Sequence, residues 1–262
     1  MAGILSIAVS CVCFAFAWDD CKDCAPHKLC ATHQTEEAAV LKSAAAELKS
    51  KDESARKSAL EKIAALKDGH ENAPSAAAAK ALAAGLEDPS WPVRIATVKL
   101  LAKGQDRDVA IDAISKSLES ARKDGAKWMT FAAKSGMTAD QKVFAEYLKT
   151  TSEALAAMKD DAAGHALIDF LSKAGIMPED MVLPVVQSVG AVGTQEAFEL
   201  VIEKLTQSEG FGGSRAYHDV LVHVATTHGG KGLPEWGRGT SAKWKKWLDA
   251  NRSLFPKKVA SK

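Results

Sequence analysis

Apolar residues in this chain recur three and four positions apart over most of its length, the period of a helix with one buried face. Thr35 is placed to cap a first helix, on which Val40, Leu41, Ala44, Ala45 and Leu48 make one stripe. Ser50 and Glu53 have the spacing of a capping box, and Ala55, Ala59, Leu60, Ile63 and Leu66 then share one face. After a polar break at 68–74 the pattern returns as Ala79, Leu82 and Leu86, a turn carrying Asp88 and Pro89, then Val93, Thr97 and Leu101. Ala110, Ile111, Ile114 and Leu118 repeat the stripe of a first helix, and a short partner is expected at 127–134. Thr138 and Gln141 cap a longer helix holding Phe144, Tyr147 and Leu148, and Leu167, Phe170 and Leu171 mark another over 162–174. Residues 185–205 restore the hairpin: one helix ends near Gly193, Thr194 caps the next, and Phe198, Val201 and Leu205 face inward. Ser214 opens a helix through Val220 and Val224. Beyond a Gly-rich stretch at 229–239, a short helix over 241–251 sets Trp244 and Trp247 one turn apart.

The stretch 85–104, GLEDPSWPVRIATVKLLAKG, holds the pattern most completely. Arg94 lies 38 residues beyond Arg56, and each arginine follows a leucine, Leu86 or Leu48, at the same distance. That period is close to the ~40–47 residues of HEAT and armadillo units. The order of leucine, acidic turn, Val-Arg, small residue and leucine resembles the hairpin of HEAT-type helical repeats, over about 35–251. The resemblance implies that Asp88 and Arg94 tie neighbouring repeats together. Arg56 matches the arginine in the preceding copy, while Ser50 stands at the aspartate's place.

The fold expected is therefore all-α: a right-handed α-solenoid of about five irregular HEAT-like helical pairs. Its expected divisions are a signal peptide at 1–17, a Cys/His-rich segment at 18–34, the solenoid at 35–228, and a Gly-rich loop, capping helix and basic tail at 229–262. Stacked repeats need an end unit that hides the last apolar face, and the helix with Trp244 and Trp247 fits that task.

Charge narrows the partners. Thirty-four Lys and Arg against 33 Asp and Glu give a formal net charge of +1, without the basic footprint of a nucleic-acid binder. No nucleic acid is expected. The first 17 residues carry no charged side chain and end in Ala15-Phe16-Ala17, the small-x-small pattern of a signal-peptidase site. Export to a secreted or periplasmic home follows, with no stable membrane span after cleavage. The alternative is a lipoprotein acylated at Cys11.

Chemistry concentrates in WDDCKDCAPHKLCATH, which holds Cys21, Cys24, Cys30, His27 and His33. Thiolates at C-x2-C share one metal readily, and Cys30 with His33 completes a four-ligand zinc set of Cys21, Cys24, Cys30 and His33. An exported protein also oxidises its thiols, so a disulfide with one cysteine left over, a zinc site and a thiol-redox site all stand open. The expected cofactor state is none, with zinc at those four residues as the alternative. His218, His223 and His228 are spaced five apart, which turns successive rings about 140° from one another, so they share no face. His70-Glu71 is a single pair in a loop. Gly212-Gly213-Ser214 follows a helix, unlike a nucleophile elbow, and Gly229–Gly232 lacks the Ser or Thr of a phosphate loop.

These features make the expected function a non-catalytic, exported scaffold holding a protein or peptide partner on its second-helix surface. Lys57, Glu61 and Lys99 are the candidate contacts there. Trp236 on the Gly-rich loop is a fourth, because an aromatic on a loop anchors partners. A zinc-binding or thiol-redox module at the N-terminal cluster, mounted on the helical repeats, is the alternative function.

Overall fold

A computed structural model describes residues 30–66, 75–104, 106–125, 137–174, 178–209 and 214–256. Among them the fold is all-α, with no strand. Eleven helices follow in order: α1 (Ala31–Glu47), α2 (Glu53–Ala64), α3 (Ala76–Ala83), α4 (Trp91–Leu101), α5 (Arg107–Gly125), α6 (Ala139–Met158), α7 (Asp161–Lys173), α8 (Glu179–Val192), α9 (Gln195–Glu209), α10 (Arg215–Thr227) and α11 (Thr240–Asn251). A 3-10 turn, Ala84–Glu87, extends α3, and another, Arg252–Leu254, follows α11.

The expected caps are partly right. Thr138 and Gln141 form the full capping box on α6, and Thr194 Oγ1 accepts from the Ala197 N–H at the start of α9. Gly193, at φ 72°, ends α8 in the left-handed conformation that glycine adopts without strain. Two expectations are corrected. The first helix begins at Ala31, with Cys30 at the cap position. Nothing between Ala31 and Thr35 breaks a helix, and Thr35 Oγ1 instead donates back to the Ala31 carbonyl at 2.9 Å. At α2 the cap is Asp52, which accepts from the Ser54 N–H, rather than Ser50. Asp52 stands immediately before the first helical residue, whereas Ser50 Oγ accepts from the Asp52 N–H at 3.1 Å.

The helices pack in two interleaved series. Consecutive helices touch from α1 to α4 and from α5 to α10, and the 3-10 turn Ala84–Glu87 touches both α4 and α5. The even helices also meet along the run α2, α4, α6, α8, α10, and the odd ones along α1, α3, α5, α7, α9, with α11 against α9. One continuous core runs the length of both series, with Leu60, Ile63, Leu82, Ile114, Phe144, Tyr147, Leu167, Val185, Phe198, Leu221 and Trp244 fully or nearly fully buried. The short partner expected at 127–134 lies outside the described residues, and α6 packs on α4. The hairpin at 185–205 is formed by α8 and α9, which pack on one another.

Polar links between helices recur at one spacing. Ser75 Oγ donates to the Glu37 carboxylate, Ser90 Oγ to Glu53 at 2.6 Å, and Lys204 Nζ to the Ala174 carbonyl at 2.9 Å. Tyr147 Oη and Ser117 Oγ lie 2.6 Å apart. Ser241 Oγ donates to Glu209 at 2.7 Å. These partners are 30 to 38 residues apart, bracketing the interval between Arg56 and Arg94. Close approach also explains one glycine. A Cβ on Gly85 would overlap Thr97 Oγ1 and come within 2.8 Å of Leu60 Cδ2, so the end of α3 nests directly on α2 and α4.

Candidate functional site

Asp88, Arg94 and Arg56, which the repeat resemblance singles out, form one cluster. Arg56 reaches from α2 across to the turn before α4. Its Nε donates to Asp88 Oδ2 at 2.7 Å and its Nη2 to Oδ1 at 3.1 Å, a two-pronged link between side chains that are 10 % and 6 % exposed. Arg56 Nη1 also donates to the Ser50 and Lys51 carbonyls. A backbone oxygen thus serves where the expected aspartate is missing. Asp88 Oδ1 accepts in addition from the Ser90 N–H at 2.8 Å. Arg94 Nε bonds the Asp88 backbone carbonyl, and its guanidinium lies over the Trp91 ring at 4.3 Å. That ring in turn meets Phe144 and Tyr147 of α6 at 4.9 and 5.0 Å.

Of the Cys/His set, Cys21, Cys24 and His27 lie outside the described residues, as does Cys11. Cys30 Sγ is 3.5 Å from His33 Nδ1 on the first turn of α1, so those two candidate ligands are neighbours. Among the described residues no group of three or more His, Cys, Asp or Glu side chains is arranged to hold a metal ion, and no helix there is long and apolar enough to cross a membrane.

Lys57, Glu61 and Lys99 all lie on even helices. Glu61 and Lys99 are exposed, and Lys57 is half-exposed and pairs with Glu53 at 2.7 Å. Trp236 is exposed at 38 %, with its ring 5.6 Å from that of His218. The other face of this region is closed. Trp244 and Trp247 pack against Phe198 at 5.7 and 5.9 Å, and Trp247 Nε1 donates to the Lys231 carbonyl at 2.9 Å, pinning the Gly-rich loop. His218, His223 and His228 go to three places: against Trp244, into a groove between α8 and α10, and against Phe255.

His218 is buried, and Trp244 Nε1–H donates to its Nδ1 at 3.0 Å. That bond needs a lone pair on Nδ1. Burial, opposed by Asp219 and reinforced by Arg215, lowers the His218 pKa. The folded protein therefore holds this ring neutral, while the unfolded chain protonates it below about pH 6.5. Stability falls as the pH drops through that value and levels off once the pH is below the folded pKa. Thermal melts at pH values on either side should differ less in His218→Gln, whose amide oxygen replaces the acceptor without titrating. An unchanged difference would remove His218 from the account.

One assembly escaped the sequence reading. Asp108, Asp112 and Ser115 on α5 line a groove of about 810 Å³ with His165, Asp169 and Ser172 on α7, together with Asp160 at the N-cap of α7 and Glu196 in the first turn of α9. The signal is present in the sequence, because both triplets fall at i, i+4 and i+7, one face of a helix. No family model matches this chain, and no curated protein or solved structure does either.

Proposed function

We infer that this chain is a non-catalytic scaffold for protein–protein interaction, a right-handed, HEAT-like α-solenoid of five helix pairs from α1–α2 to α9–α10, closed by α11. The observation that supports it most is the double contact run, in which the even helices meet one another in order and the odd helices do the same. Stacked pairs of this kind present extended surfaces suited to macromolecular partners. The even series is the proposed partner surface, carrying Lys57, Glu61 and Lys99 and a groove of about 490 Å³ between α8 and α10, floored by Leu183, Val220 and Val224. An exported home is supported by the apolar first seventeen residues and Ala15-Phe16-Ala17.

The test is capture of partners from an extract of the native source by the immobilised full chain. Lys57→Glu, Glu61→Lys and Lys99→Glu together should abolish most of the capture. The melt should stay within about 1 kcal/mol, since only the exposed Lys57–Glu53 pair is lost. Undiminished capture by this triple variant would end the even-series reading, and substrate turnover by the chain would end the non-catalytic one.

A further inference from the structure

The groove between α5 and α7 lies on the odd series, away from Lys57, Glu61 and Lys99. Its twelve lining residues include Asp108, Asp112, Asp160, Asp169 and Glu196 and not one lysine or arginine. Two of the five carboxylates are balanced at the rim, Asp112 by Lys116 and Asp169 by Lys173, each at 2.7 Å. Asp108 and Glu196 form no ion pair among the described residues. Ile111 and Ile168 make a buried apolar floor. Ser115 lines the same groove. The volume is in the range of ligand-binding clefts.

We propose that this groove binds an extended, lysine- or arginine-bearing segment of a partner protein, its ammonium or guanidinium groups set against Asp108, Asp160 and Glu196 and its stems along Ile111 and Ile168. A carboxylate-rimmed channel with an apolar floor matches the two halves of such side chains, the aliphatic stem and the charged tip. The aspartates of successive odd helices face one another, so an extended strand crossing from α5 to α7 meets them in turn. This rests on the scaffold reading and supplies a partner chemistry and a second face for it.

The experiment is fluorescence anisotropy of a labelled lysine-rich peptide with the full chain, alongside the same peptide with glutamate for lysine. The lysine peptide should bind and weaken as salt is raised, and the glutamate peptide should not bind. Asp108→Asn with Glu196→Gln should weaken binding at least about tenfold, or ~1.4 kcal/mol, with the melt only slightly lowered, because each carboxylate stands in the first turn of a helix but forms no ion pair among the described residues. Glu146→Gln, exposed on α6, should bind as the unaltered chain does. Equal binding of both peptides, or full affinity in the double variant, overturns the proposal. A tenfold gain on removing 257–262 overturns it too, by making the chain's own Lys257, Lys258 and Lys262 the occupant. Loss of the even-series capture described above, with lysine-peptide binding intact, would leave this groove standing alone.

Discussion

Trp244→Ala should lower the stability of the folded chain by about 3–5 kcal/mol, the range for emptying a large aromatic site in a core. Trp244 is completely buried and occupies the junction of three elements. Its ring meets Phe198 of α9 at 5.7 Å and Trp247 of its own helix at 5.4 Å, edge to face in both cases. Its N–H is spent on His218 of α10. Truncation therefore opens a cavity beside two aromatic rings and leaves a buried imidazole without its donor. Trp244→Phe separates the two effects, because it restores much of the volume and none of the hydrogen bond. It should recover more than half of the loss. Chemical denaturation followed by far-ultraviolet circular dichroism measures both variants. A loss below about 1 kcal/mol for the alanine variant would mean that α11 does not close the helical array.

Asp88→Ala should lower the melting temperature by about 10 °C. The carboxylate takes two bonds from Arg56 and one from the Ser90 N–H, so its removal strands a guanidinium between α2 and the turn before α4 and uncaps that turn. The partner change, Arg56→Met, should cost less than Asp88→Ala, since a carboxylate at 88 keeps its backbone donor. The double change Arg56→Met with Asp88→Leu should recover part of the loss, as apolar replacement of a buried pair often does. Recovery stays incomplete because the Ser50 and Lys51 carbonyls also lose their donor. Strictly additive losses in this cycle would show that the two side chains do not depend on one another.

Short-range signals in the sequence led directly to short-range structure. The capping box at Thr138 and Gln141, the cap at Thr194 and the left-handed Gly193 are each set by a few adjacent residues, and each was legible. The contacts between helices two apart, such as α6 with α4 and with α8, were not legible, because a stripe does not say which distant helix it meets. The partners of Asp88 were not legible either: Arg94 bonds its backbone carbonyl, while its carboxylate holds Arg56 of α2. The acidic groove was missed because Asp108 and Asp169 look like ordinary solvated helix positions until α5 and α7 are set side by side. Cys30 and His33 proved adjacent, one turn of α1 apart, as their spacing implied.

Several of the inter-helix hydrogen bonds have similar separations, which bears on how such a chain can lengthen. Joining two points on a disordered chain costs entropy that grows with the logarithm of the enclosed loop. Partners 30 to 38 residues apart, as at Glu37–Ser75, Ser117–Tyr147 and Glu209–Ser241, enclose loops of nearly one size. Each of these closures then costs about the same, and the apolar contacts between the joined helices offset it. Extra residues within one helix would turn its donors away from their acceptors, at about 100° per residue, while bonds between other helices keep their geometry.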